Sequence, residues 1–136
     1  MPAAVAIETL KIYDEMDIGA HVRAVGAHFQ KELRRRFADH PLVGEVRGVG
    51  LIAAVELVAD KAKHQNFEPS ARVGGRFTRL IEESGVIGRT VPGDILCFSP
   101  PLVISEGEVS EMLDRIGRAL DELTVQLRRE QIAVVR

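Results

Sequence analysis

The chain has 136 residues, 46% hydrophobic and 28% charged, with a formal net charge of -2 and a single cysteine, Cys97. One domain of this size buries a core without staples. The near-neutral charge and the scarcity of aromatics, 4% with no Trp, give no reason to expect nucleic acid or an anionic membrane as partner, while the lone thiol excludes an intrachain disulfide framework and suits a reducing, cytoplasmic compartment.

Met1-Pro2-Ala3-Ala4-Val5 enters a helical pattern directly, without the basic and apolar regions of a secretory leader. The chain therefore looks cut from something longer. Val5, Ile12 and Met16, with Ile7, Leu10 and Tyr13 beside them, predict a helix over Ala3–Met16 with a broad apolar face. Asp17-Ile18-Gly19 interrupts it. Val22, Val25, Phe29, Leu33 and Phe37 form the stripe of a second helix over Ala20–Phe37, ended by Asp39-His40-Pro41. Strands are predicted at Val43–Arg47 and Leu51–Leu57, with Gly48-Val49-Gly50 between them, and Asp60–Glu68 reads as a polar loop. A third helix is expected from Pro69 or Ser70, with Val73, Phe77, Leu80 and Ile81 inward and Gly85 as a left-handed cap. Short strands at Val86–Arg89 and Ile95–Ser99 flank the turn Val91-Pro92-Gly93-Asp94, and Pro100-Pro101 ends the second. Ser105-Glu106-Gly107-Glu108 is a capping box. It opens a last helix with its stripe at Val109, Met112, Leu113, Ile116, Leu120, Leu123 and Leu127. Gln131–Arg136 is expected to fray. The order helix, helix, strand, strand, helix, strand, strand, helix predicts an α+β fold: two layers, a mainly antiparallel sheet covered by helices.

Gly48-x-Gly50-x-x-Ala53 fits the glycine pattern of a dinucleotide loop, and equally a tight corner between two apolar strands. The nucleotide reading needs a second parallel strand where the polar loop Asp60–Glu68 stands, so the strand corner is preferred. His21 and His28 share a helix face, but no acid or cysteine cluster joins them, or His40 and His64, as metal ligands. They read as exposed polar positions. Arg34-Arg35-Arg36 suits the negative end of a helix dipole better than a phosphate site. Cys97, between Leu96 and Phe98, reads as a buried inert thiol. Arg89 stands apart: it sits at a strand end beside a turn, where a guanidinium can fork a carboxylate.

Pro2-Ala3-Ala4-Val5-Ala6-Ile7-Glu8-Thr9-Leu10, Val46-Arg47-Gly48-Val49-Gly50-Leu51 with Val55-Glu56-Leu57, Gly85-Val86-Ile87-Gly88-Arg89 and Ser99-Pro100-Pro101-Leu102-Val103-Ile104 together resemble the C-terminal part of class III pyridoxal-phosphate-dependent aminotransferases, the omega-aminotransferase group. The resemblance implies the C-terminal small domain of a fold-type-I transferase. Residues 1–17 would be the end of the long interdomain helix and 18–136 the small domain. It implies transfer of an amino group from an amine or amino acid to a keto acid such as pyruvate, with pyridoxal 5'-phosphate as cofactor of the full-length enzyme. The implied partners are a large cofactor-binding domain and a homodimer mate. Arg89 would bind the substrate carboxylate and swing aside for an uncharged amine. The Schiff-base lysine, the acid on the pyridine nitrogen and the phosphate cup precede the family's long helix, and none of Lys11, Lys31, Lys61 and Lys63 stands in the lysine's context. No catalytic, cofactor-binding or metal-binding residue is expected on this chain, which is predicted inactive alone. The rival is a free-standing α+β regulatory or oligomerisation module.

Overall fold

In the computed structural model, which describes residues 2–132, the elements follow in the expected order. Helices α1 (Pro2–Glu15) and α2 (Ile18–Phe37) lead into strands β1 (Val43–Val49) and β2 (Ile52–Leu57). Helix α3 (Val73–Glu83), strands β3 (Arg89–Val91) and β4 (Ile95–Phe98) and helix α4 (Glu106–Arg129) follow. The strands form one sheet in the order β1-β2-β4-β3, every neighbouring pair antiparallel. The fold is thus the α+β layer read from the sequence.

Periodicity explains the layering. The α2 stripe Val25, Phe29, Leu33 and Phe37 and the α4 stripe Val109, Leu113, Ile116, Leu120, Leu123 and Leu127 are buried. They meet Val55, Leu96 and Phe98 on one face of the sheet. Phe29 and Phe98 pack edge to face with centroids 5.7 Å apart, the arrangement the ring quadrupoles favour. Ser105 caps α4: its hydroxyl accepts from the Glu108 amide, and the Glu108 carboxylate accepts from the Ser105 amide at 2.8 Å.

The strand corner expected at Gly48-Val49-Gly50 falls at Gly50-Leu51, because β1 continues in register through Gly48 and Val49. Val49 pairs with Ile52, leaving Gly50 and Leu51 as a two-residue loop, and Gly50 has φ 55°, a conformation glycine adopts without strain. A Cβ on Gly48 would lie 2.7 Å from Ala53 Cα, so the two strands pass too closely for any side chain there.

Helix α2 begins two residues early, at Ile18, and three further boundaries differ from expectation. The segment Pro69–Ala71 is a 3-10 turn, and α3 begins only at Val73, because Arg72 takes a left-handed conformation (φ 49°) that no continuous helix contains. The strand expected at Val86–Arg89 starts where that expectation ended. Val86 N donates to Ile81 O at 3.1 Å, closing the cap behind Gly85 (φ 83°), so residues 86–88 belong to the helix exit. At the C-terminal end, Ile132 N donates to Leu127 O at 2.9 Å and its side chain is partly buried against the core, so Gln131–Ile132 folds back rather than frays. Residues 133–136 of that expectation lie outside the described residues.

Helix α1 follows its predicted span, yet its apolar side chains are not covered. Val5 is 64% and Leu10 62% exposed, and Ile7, Ile12, Tyr13 and Met16 are exposed as well. Among the described residues no helix is long and apolar enough to cross a membrane.

Candidate functional site

Side chains alternate across a strand, so register decides which residues share a face. Helices cover one face, where the row Val46, Val55, Leu96 and Thr90 points. The rows on either side of it, Arg47, Ala54, Cys97 and Arg89 on one and Glu45, Glu56, Ile95 and Val91 on the other, point the opposite way. Among the described residues no helix stripe packs on this second face. Two arginines therefore stand at opposite ends of one row, on the outer strands β1 and β3.

Their surroundings separate them. Arg47 Nη1 donates to Glu45 Oε2 at 2.6 Å and to Glu56 Oε2 at 2.9 Å, and these bonds, first that to Glu56, raise its pKa further above the usual arginine value. It is spent within the fold. Arg89 opens the edge strand, is exposed, and has no carboxylate of the described residues within ion-pair distance. It borders a cleft of about 370 Å³ between residues 86–89, the end of β4 and the start of α4. The lining is apolar apart from Arg89, Cys97 and Ser99; Leu96, Phe98, Pro100 and Met112 form much of the wall. An unpaired guanidinium at the rim of an apolar cleft is suited to fork a carboxylate.

Cys97, expected to be buried, is half-buried and lies beside Arg89 across the strand pair, because it falls on the uncovered face. His21 and His28, expected to be exposed, are half-buried. His21 Nε2 lies 3.0 Å from Ile104 O and His28 Nε2 3.4 Å from Ser110 Oγ, so both fix the start of α4 against α2. His40 Nδ1 accepts from Leu42 N at 3.2 Å. Arg35 and Arg36 both donate to Glu32, and Arg36 also reaches Asp114 on α4, so the basic run braces two helices. The lysines lie apart from the cleft. Lys11 pairs with Glu8, Lys63 with Asp60, and Lys61 donates to Ala38 O and His40 O. None of the four lines the cavity beside Arg89.

Two residues of the same hairpin carry no signal of their own in the sequence. Asp94 stands there only as the end of a Pro-Gly turn, and Thr90 lies between two predicted strands. In the fold, Asp94 Oδ1 accepts from Gly74 N at the start of α3 at 2.6 Å, and Thr90 Oγ1 lies 2.9 Å from Thr78 Oγ1. The turn signal was visible; its reach to α3 was not.

The family model for class III aminotransferases matches residues 1–120. The chain belongs to that family. It is 41% identical over 128 residues to a diaminobutyrate–2-oxoglutarate transaminase of Halomonas elongata, covering 93% of this chain and 27% of that protein. A solved structure from work on directed evolution of transaminases by ancestral reconstruction superposes with a TM-score of 0.90 at 48% identity, covering 92% of this chain and 28% of the other. The omega transaminase of Pseudomonas jessenii, solved with PMP, superposes with a TM-score of 0.84 at 41% identity, covering 90% and 27%. The chain thus spans little more than a quarter of the length of the transaminases it matches.

Proposed function

We propose that this chain is the C-terminal small-domain portion of a pyridoxal-phosphate-dependent class III aminotransferase of the omega group. In this reading the whole enzyme moves an amino group between an amine or amino acid and a keto acid such as pyruvate, and Arg89 binds the substrate carboxylate. The observation that carries the proposal is the pair of arginines on one sheet row: Arg47 is neutralised by Glu45 and Glu56, while Arg89 stands unpaired at the cleft.

Arg89 orients a substrate by two parallel charge-assisted bonds to its carboxylate. Its exposed position on an edge strand leaves the side chain room to turn away when an uncharged amine enters. Pyridoxal phosphate supplies the electron sink, from a site on the rest of the enzyme, because no lysine of this chain stands near Arg89. Residues 1–136 alone are therefore expected to be inactive. Residues 1–17 are the end of an interdomain helix and 18–136 the small domain. The uncovered sheet face, with Val49 77% and Ile52 67% exposed, and the bare apolar side of α1 meet the large domain. The full enzyme is a cytoplasmic homodimer in this reading.

The test is Arg89→Ala in the whole enzyme that this segment completes. Loss of a charge-assisted bond is worth about 1.5–3 kcal/mol, roughly a ten- to hundredfold fall in kcat/KM. That fall is expected for keto acids and amino acids, with turnover of a carboxylate-free amine against an aldehyde largely kept. An equal fall for both substrate classes refutes the role.

A further inference from the structure

We infer that Asp94 and Thr90 are positioning residues for Arg89: they clamp the edge hairpin that carries it to helix α3. The inference rests on the carboxylate role proposed for Arg89, and extends it to how that side chain is held in place.

Strand β3 has three residues and lies at the edge of the sheet, with β4 its one neighbour among the described residues. An edge strand that short has few ladder bonds of its own to fix it. The support comes from α3. Thr78 Oγ1 donates to Gly74 O at 3.0 Å, which commits its single proton. The Thr90 hydroxyl, 2.9 Å away, therefore donates to Thr78. Thr90 is the residue directly after Arg89, on the opposite face of the strand, so this bond fixes the backbone from which Arg89 projects.

Asp94 makes the second link. Its Oδ1 accepts from Gly74 N at 2.6 Å, on the first turn of α3, where an amide lacks a helical partner and a carboxylate suits the dipole. Its backbone carbonyl accepts from Leu57 N at 3.2 Å, extending the pairing of β2 with the β3–β4 hairpin. To do both, Asp94 takes a left-handed conformation (φ 54°), which aspartate tolerates better than most residues. Gly74 is required at the contact: a Cβ there would lie 2.9 Å from Asp94 Oδ1 and 3.2 Å from Thr90 Oγ1. Four residues from two elements thus interlock, all on the side of the sheet away from the Arg89 guanidinium. None of the four takes part in binding; they set the place and angle from which Arg89 reaches.

The experiment compares Arg89→Ala, Asp94→Ala, Asp94→Asn and Thr90→Val in the whole enzyme, each assayed with a 2-keto acid and with a carboxylate-free amine and aldehyde pair. Asp94→Ala and Thr90→Val are expected to lower kcat/KM for the keto acid about tenfold while the carboxylate-free pair stays within about twofold. Asp94→Asn, which keeps an acceptor oxygen, restores most of the loss. Equal loss on both substrate classes in Asp94→Ala and Thr90→Val, or no loss, overturns the clamp. If Asp94→Ala is insoluble, Thr90→Val decides the question by the same ratio. If Arg89→Ala itself fails to discriminate the two classes, the carboxylate reading falls and the clamp with it. If Arg89→Ala discriminates and the clamp variants do not, only the clamp falls.

Discussion

Gly26→Ala is expected to destabilise this fold even though alanine is the better helix former. Gly26 sits inside α2 against the β1–β2 corner, and a Cβ there would lie 2.7 Å from Gly50 Cα and 2.9 Å from its carbonyl carbon. Carbon atoms attract best at about 3.5–4.0 Å, so the helix and the corner must separate by roughly 1 Å. The corner yields poorly. Gly50 is held at φ 55°, and Gln30 Nε2 donates to Gly50 O at 2.9 Å. Overpacking of this kind costs about 1–3 kcal/mol, against a propensity gain of about 1 kcal/mol. The balance is a net loss of up to about 2 kcal/mol. Gly117→Ala in α4 is the matched control. Its Cβ would meet only Phe37 Cε1, at 3.9 Å, an ordinary contact, so the propensity gain survives as about 0.5–1 kcal/mol of added stability. Urea unfolding of residues 1–136, followed by circular dichroism, reads both changes as opposite shifts in midpoint at constant slope. In a thermal scan each kcal/mol is worth about 3–6 °C. A stabilising Gly26→Ala would refute the close approach of α2 to the corner.

Two further predictions concern pH. The bond from Arg35, and after it that from Arg36, lowers the Glu32 carboxyl from 4.5 to about 2. Its contribution to stability is therefore complete above the ordinary carboxylate range and is lost as pH falls through about 2. Carboxyl NMR titration should place the Glu32 midpoint near that value, and Arg35→Ala should raise it more than Arg36→Ala; a midpoint at or above the ordinary carboxylate value in the unmutated protein contradicts the arrangement. Burial pushes His40 below its usual 6.5, with Lys61 and Arg128 adding to the shift and Asp121 opposing it. The unfolded chain then takes up a proton first, so stability declines as pH falls from 6.5 to the lowered folded value, where protonated Nδ1 no longer accepts from Leu42 N. His40→Gln should flatten urea midpoints between neutral pH and that point; an unchanged slope assigns the effect elsewhere.

The candidate site was legible in the sequence as far as one residue. Arg89 stands at a strand end beside a Pro-Gly turn, a position that marks it as a candidate carboxylate ligand in the sequence alone. What makes it distinct from Arg47 was not legible. Glu45 stands two residues before Arg47, but only the register of β1, β2, β4 and β3 shows that the two arginines share a row and brings Glu56 beside Arg47 as well. His21 and His28 were misplaced as exposed for the same reason. Their partners, Ile104 and Ser110, are distant in sequence and come near only when α4 crosses α2. The start of α3 was misjudged because Pro69 is a good first helical residue, while the left-handed turn at Arg72 leaves no mark in a sequence pattern.

The sequence by itself determined the elements and their order, because hydrophobic spacing, glycine corners and the Ser105–Glu108 box act between near neighbours and need no tertiary context. It determined the α+β layer too, since paired strands between helices with one-sided stripes bury their apolar faces in that way. The tertiary structure decided which face of the sheet is left bare and which of the two arginines on that face has no carboxylate partner among the described residues. It also decided how Asp94 and Thr90 reach α3. Those outcomes depend on strand register and on contacts between residues far apart in the chain, where a shift of one position turns every side chain to the other face.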